Sequence, residues 1–375
     1  MNQKNSRYIF IFLLLMVLPA LACGFGSDDE AGPPRNAIVV NVLANSSLEP
    51  WLTTLVADFN AAEQETADGH PIHVQLAAAE SGQAVLDLTA DSSEFSLWIP
   101  ESDVWVEILA DSGVQDFEEN CTSVAESPLV IAMWRPVAES LGWPGLPLGW
   151  LDIGSLAADP SAWSYYSGGE FGDSLRMSHA HPGLSGAGTG TLLAIVQAAQ
   201  SKTDAVSPED ISQPIVQASV GAFESAVSSF NTDTENLGST MVNRGPRYLG
   251  AGVMYESTVV QHGNGELVAI YPLEGTFMAT HPACLNLDSD TETLEAAALF
   301  RDHLLSEAGQ QGALAAGLRP INPAVAVGSP LDEAHGVDPT QPEIIFESPS
   351  TEAVYAVHDL WQAARKPVNL VMLLD

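Results

Sequence analysis

The sequence predicts an α/β fold, on three observations. Apolar runs of strand length alternate with stretches of helical period, each strand closes on a short polar turn, and those turns carry helix-capping serines. Ala37–Leu43 is a buried-strand pattern, Asn45-Ser46-Ser47 follows, and Trp51, Leu52, Leu55, Val56 and Phe59 then recur at helical spacing. Ser46 or Ser47 is the natural N-cap. The unit repeats twice. Ile72–Leu76 leads through Glu80-Ser81-Gly82 into Ala84–Leu88, and Phe95–Ile99 leads through Pro100-Glu101-Ser102 into Val104–Leu109. In open α/β sheets the carboxyl ends of the strands line the ligand crevice, so these serines are either contacts there or simple caps.

A second region opens with the strand Ser127–Trp134, then a Pro/Gly/Trp-rich loop over Leu141–Leu151 and a short helix from Trp150. The most distinctive segment is the turn His181–Thr191 (HPGLSGAGTGT), ahead of the apolar helix Leu192–Ala199. Small residues there let backbone N–H groups at a helix N-terminus approach a ligand. The segment has neither Gly-Lys-Ser/Thr nor dinucleotide spacing, so it implies no cofactor. Val216–Phe230 is amphipathic, Gly252–Tyr255 precedes Glu256 and a helix over Ser257–His262, and Leu267–Tyr271 is a strand. A long helix over Thr291–Glu307, the Pro-rich Asn322–Pro349 and a last helix over Ser350–Arg365 complete the order.

The 375 residues suggest about two domains. There are 48 acidic against 12 basic residues, a formal charge of -36, and only 16% of residues are charged. The imbalance is a shortage of Lys and Arg, which disfavours nucleic acid and anionic membrane surfaces as partners. Long-range steering of a small anion is equally unfavourable, pointing to a neutral, cationic or protein ligand.

Residues 1–22 read as a signal peptide: Lys4 and Arg7, the apolar run Tyr8–Leu18, then small residues before Cys23. The run is too short to span a bilayer. Ala22-Cys23 resembles a bacterial lipobox, in which Cys23 becomes the lipidated N-terminus, and residues 23–36 then form a tether. Cleavage would leave 10 basic residues against 48 acids, a net -38. Cys121 and Cys284 remain as an even pair in an oxidising compartment, which favours a disulfide over two free thiols.

Taken in order, ANSS (Ala44–Ser47), WIPESDVW (Trp98–Trp105), ESPLVIAMW (Glu126–Trp134), HPGLSGAGTGTLLA (His181–Ala194), MYES (Met254–Ser257), YPLEGT (Tyr271–Thr276) and GLRP (Gly317–Pro320) are similar to a bacterial extracellular solute-binding protein of the sulfate/molybdate-like, two-lobed kind. The resemblance covers roughly residues 37–330. It implies a periplasmic-binding-protein-like fold: two lobes with mixed sheets flanked by helices, two crossover strands as hinge, and non-catalytic capture of a small molecule in the cleft between them. Lobe 1 is expected over about 37–125 and 281–365 and lobe 2 over about 126–280, with ESPLVIAMW and the strand around YPLEGT as the crossings. A Cys121–Cys284 disulfide would then staple the hinge region of one lobe. Matching the family's strand-end turns, the implied ligand contacts are Ser46, Ser47, Ser81, Ser102, Ser127, Ser185, Gly186, Thr189 and Tyr255, with Arg176, Arg244, Arg247 and Arg319 as possible helpers. An ABC-type permease is the implied partner.

Lys366–Asp375 is similar to the first strand of a von Willebrand factor A domain, stopping at the Asp that begins that family's metal motif. That suggests a longer protein in which the two lobes serve as an adhesion or assembly scaffold. A hydrolase built from Asp173, His179, His181, Ser185 and Glu256 is the weaker alternative, since no nucleophile elbow or HExxH is present. His179-Ala180-His181 and His70/His73 lack further metal ligands placed by motif.

Overall fold

The computed structural model describes residues 32–364. The expected signal peptide, the lipidation at Cys23 and the strand over residues 366–375 lie outside them. Two compact units divide at residue 37. In the first, the described residues Gly32–Asn36 are exposed and Ala37 N–H donates to the Pro34 carbonyl at 3.1 Å.

The second unit begins with the three expected strand–turn–helix units. They are β1 (Ile38–Ala44) and α1 (Glu49–Ala61), β2 (Ile72–Ala78) and α2 (Ser81–Ala90), β3 (Leu97–Ile99) and α3 (Val104–Asp111). The two-residue strand β4 (Thr122–Ser123) and the long β5 (Ser127–Trp134) follow. Next come α4 (Arg135–Ser140), α5 (Trp150–Ala158), α6 (Pro160–Ser167), β6 (Met177–Ala180), α7 (Gly186–Gln200), α8 (Pro208–Ile211), α9 (Pro214–Ala226), β7 (Val227–Asn231), α10 (Thr234–Arg244), β8 (Ala251–Tyr255) and α11 (Glu256–Gly263). The chain ends with β9 (Leu267–Ile270), β10 (Met278–Ala279), β11 (Pro282–Leu285), α12 (Thr291–Leu305), α13 (Glu307–Ala315) and α14 (Thr351–Ala364).

Two mixed sheets result, each the floor of one lobe. The first has the order β2-β1-β3-β11-β4, with β1 parallel to β2 and β3 and β11 antiparallel to β3 and β4. The second has the order β10-β5-β8-β6-β7, with β9 also on β5; β6 runs parallel to β7 and β8, and β5 antiparallel to β8 and β9. Strands covered on both faces must be apolar throughout. Accordingly β5 and β8 are buried along their full lengths. On one face of the first sheet Trp51, Leu52 and Phe59 of α1 pack with Phe300 and Leu304 of α12, the Phe59 and Phe300 rings meeting edge to face at 5.2 Å. Its other face, with Trp98, Trp105 and Ile108, belongs to a core that runs on through β5 into the second lobe. At the centre of that lobe α7 is buried on all sides, as its nearly unbroken apolar and small composition requires.

Four expectations are corrected. Gly186–Thr191 is not a turn ahead of the helix but its first turns, since Ser185 caps α7. The amphipathic Val216–Phe230 divides into α9 and β7, because Ser228 and Ser229 break the helical apolar period. The crossing beside β5 is not the YPLEGT segment but β10 just after it, where Met278 pairs with Pro128 and Ala279 with Ser127. Finally α14, assigned by sequence to lobe 1, packs chiefly on α7, α8 and α9 of the second lobe, with Val354, Val357 and Trp361 buried there. On its way the chain adds a third segment to the hinge: Phe346 N–H donates to Thr276 O at 2.8 Å, and Thr276 N–H to Ile344 O at 3.1 Å.

The Cys121–Cys284 disulfide is present, with Cα atoms 4.7 Å apart. The β4–β11 register explains it: Thr122 opposes Ala283, so Cys121 falls opposite Cys284 at the edge of the first sheet. A bridge closing 163 residues limits the unfolded chain, worth up to about 5 kcal/mol on the chain-entropy account. Reduction is therefore expected to lower the melting temperature by well over 5 °C in a calorimeter. An unchanged melting temperature after complete alkylation of both thiols would refute that contribution.

Candidate functional site

The strand ends of the first lobe face the N-terminus of α7 in the second, and two buried glutamates lie between. Asn45 Nδ2 reaches Glu101 Oε2 at 3.3 Å and Ser81 Oγ at 3.4 Å, while Ser81 Oγ also donates to Glu101 Oε2 and accepts from Glu101 N–H at 3.2 Å. Ser46 Oγ donates to Glu80 Oε1. Glu80 is 8% exposed and Glu101 4%, yet Glu80 Oε2 and Glu101 Oε1 have no hydrogen-bond partner. Gly186, at the start of α7, lets the Glu101 carboxylate in: a Cβ there would fall 1.3 Å from Oε1. The lobes also touch beside it, where Gln83 N–H donates to Leu184 O at 3.2 Å.

Next to Glu101 is a cavity of about 160 Å³. Its walls come from Ser102 and Trp105 in the first lobe, Gly186, Thr189 and Leu193 of α7, Tyr255 at the end of β8, Leu129 and Phe277 at the hinge, and the returning Ile345–Phe346.

Residues 40–319, 280 of the 375, match the model of the bacterial extracellular solute-binding protein family. The chain belongs to that family. Solved structures share the fold at low identity. A periplasmic thiamin-binding protein superposes with TM-score 0.62 at 13% identity, covering 88% of this chain and 96% of its own. A ferric-binding protein from Campylobacter jejuni gives 0.58 at 11%, covering 87% and 98%. The sulfate-binding protein SubI from Mycobacterium tuberculosis H37Rv gives 0.54 at 17%, covering 76% and 88%. No curated protein sequence matches. No helix among the described residues is long and apolar enough to cross a membrane.

In this solute-binding protein the sequence-predicted residues divide. Ser46 and Ser81 hold the two carboxylates, and the Ser185 hydroxyl lies close enough to Glu80 to favour its ionised form. Ser102, Gly186, Thr189 and Tyr255 line the cavity, although the Thr189 hydroxyl is engaged by Pro182 O at 2.6 Å and His358 Nε2 at 3.0 Å. Two do not join them. Ser47 is buried against Asn45 Oδ1 at 2.6 Å, and Ser127 is buried at the start of α11, accepting Ser257 N–H at 3.1 Å. Ser127 thus serves a backbone N–H, whereas Ser47 is held by the Asn45 side chain; neither Ser46 nor Ser47 caps α1, whose N-cap Leu48 makes no side-chain bond.

The four arginines are not helpers in the cleft. Arg176 and Arg244 stack on Tyr248, Arg247 donates to Glu170 O, and Arg319 binds Glu256. Arg135, Lys202 and Arg301 are likewise engaged elsewhere, with Gly265 O, Asp210 and Glu118. Sequence reasoning missed Glu80 and Glu101 themselves. Each stands immediately before a predicted serine, which is the signal that was available; acidic residues in turns are ordinarily read as solvated.

Electrostatics follow from burial without a counterion. Burial pushes the Glu80 carboxyl up to about 7, the Ser185 and Ser46 hydroxyls oppose it, and Asp233 and Glu235 add to it. Glu101 is also held well above the usual carboxylate range, by burial first and then by the Glu80 charge, against its own backbone N–H and the Trp105 indole. The same burial raises the Tyr255 phenol and pushes His281 down to about 3, so His281 brings no positive charge.

A stability prediction follows for Glu80. An acid whose folded pKa exceeds its unfolded value holds more protons when folded, so stability falls as pH rises from about 4.5 towards 7. The full loss is about 3 kcal/mol at most. Glu80→Gln is expected to melt progressively higher than the parent as pH rises from 4.5 to 8. A gap independent of pH would contradict the assignment.

Proposed function

We propose that this protein captures a small solute in the interlobe cleft without transforming it. The observation that supports this most is the partnerless oxygen of a buried Glu101 at the wall of a cavity bounded by both lobes. Ser46, Ser81, Ser102, Ser185, Gly186, Thr189 and Tyr255 are its proposed first contacts or supports. Catalysis by the histidines and acids is disfavoured by their engagements: His179 with Glu224 at 2.9 Å, and Glu256 with Arg319 and Tyr271. The relatives named for sulfate, iron and thiamin bind chemically unlike solutes, so the fold alone selects none.

The finer reading is a lipoprotein held to the outer face of the cell membrane through Cys23, delivering its solute to an ABC-type permease. A thermal-shift screen of oxyanions, sugars, amino acids, amines and divalent metals tests the capture, because a ligand of the native form alone raises the melting temperature. No shift with any of them would overturn it. A diacylglyceryl mass on an N-terminal Cys23 in the membrane fraction tests the anchor, and a free soluble N-terminus would refute it.

A further inference from the structure

We propose that the cleft takes an organic cation bearing N–H donors, a primary ammonium or a guanidinium on an apolar body. Its donors would meet Glu101 Oε1, with Glu80 as the second negative charge, while the hydrocarbon enters the cavity beside Trp105, Leu129, Leu193 and Phe277. This rests on the capture reading above and names the solute class for the same site.

Three observations carry it. First, the two unsatisfied atoms are both carboxylate oxygens, which accept hydrogen bonds and donate none when ionised. A buried carboxylate left unpaired is unfavourable, and a charge-assisted N–H···O bond is the strong way to satisfy it. Second, no protein cation does so. Each Lys and Arg among residues 38–364 is engaged elsewhere, and the further charges that act on Glu80 are those of Asp233 and Glu235, also negative. An anion would meet only like charge. Third, a bare metal ion is a poor fit: among the described residues no three His, Cys, Asp or Glu side chains group to hold one. The cavity beyond Glu101 is mostly aromatic and aliphatic, which suits the body of an amine rather than a hydrated ion. The overall charge of -36 concentrates cations near the surface and speeds their arrival.

The test is a thermal-shift and calorimetric series on the full chain at pH 8. The probes are phenethylamine, hexylamine, putrescine, spermidine and agmatine, run beside N,N,N-trimethylphenethylammonium, 2-phenylethanol, 3-phenylpropionate, glucose, sodium sulfate, MgCl2 and ZnCl2. At least one amine or guanidine is expected to raise the melting temperature saturably, with its trimethylated, hydroxyl or carboxylate counterpart at least tenfold weaker. Glu101→Gln keeps an acceptor for Ser81 and Asn45 but replaces the partnerless oxygen with an amide donor that cannot carry negative charge. It is expected to weaken the amine at least tenfold while the empty variant melts no lower than the parent, which a merely structural glutamate would not allow. A shift with sulfate, sugar or metal but no amine would leave the capture reading standing and overturn the cation class. An amine no better than its trimethylated analogue would overturn the N–H requirement, and no shift with any probe would overturn both readings.

Discussion

Replacing Arg319 by methionine is expected to destabilise the protein by about 3–5 kcal/mol, the usual result of stripping one partner from a buried ion pair. Arg319 Nε and Nη2 reach Glu256 Oε2 and Oε1 at 2.7 and 2.6 Å, and the Tyr271 hydroxyl also donates to that carboxylate. Glu256 is 0% exposed, so methionine would leave its charge with one neutral donor and no water. Backbone position adds to this. Arg319 and Glu126 exchange N–H···O bonds of 2.8 and 3.0 Å beside the hinge, while Glu256 opens α11 in the second lobe. The pair therefore ties the returning chain to the lobe it must steady. Urea unfolding of Arg319→Met, Glu256→Gln and the double variant measures this. The double variant should recover most of the loss, and a single-variant loss under 1 kcal/mol would show that the pair is not important to stability.

Gly186→Ala is expected to abolish the solute-induced melting shift while leaving both lobes folded. An added Cβ falls 1.3 Å from Glu101 Oε1, and Glu101 cannot step aside without leaving Ser81 and Asn45. Alanine favours a helix over glycine, so α7 itself loses nothing. The substitution thus acts on the approach of the two lobes. Retained circular dichroism, with affinity reduced at least 100-fold (about 2.7 kcal/mol), is the expected outcome. Gly82→Ala should act in the same direction but more weakly, because its Cβ meets the Leu184 carbonyl at 2.7 Å. Full affinity in Gly186→Ala would mean that binding needs no such approach.

Much of the first lobe was legible. Its three strand–turn–helix units rest on local signals, apolar runs and turns that act within about ten residues, although the expected serine caps do not form: the N-caps of α1, α2 and α3 are Leu48, Glu80 and Asp103, without a side-chain cap. The Gly-rich run before Leu192 is helix rather than the expected turn, because the Ser185 cap, not the glycine content, sets the start. The candidate serines divide for a physical reason. A serine at a strand end bonds a local group or a carboxylate from another turn depending on which neighbour is closer: Ser47 found the Asn45 side chain and Ser127 a backbone N–H, while Ser46 and Ser81 found carboxylates. Nothing local distinguishes the two cases.

Sequence by itself determined the α/β class, because periodicity is a property of the chain alone, and its ordered motifs from ANSS to GLRP carried the likeness to the family. It also made the Cys121–Cys284 pairing expected, since of the three cysteines Cys23 falls at the expected lipobox and leaves these two as an even pair. Only the tertiary structure decided that α14 crosses to the second lobe, that Arg319 is spent on Glu256, and that Glu80 and Glu101 meet without a counterion. Those depend on residues far apart in sequence being desolvated together, and burial, not residue type, turns an ordinary turn glutamate into a carboxyl with a raised pKa and a partnerless oxygen.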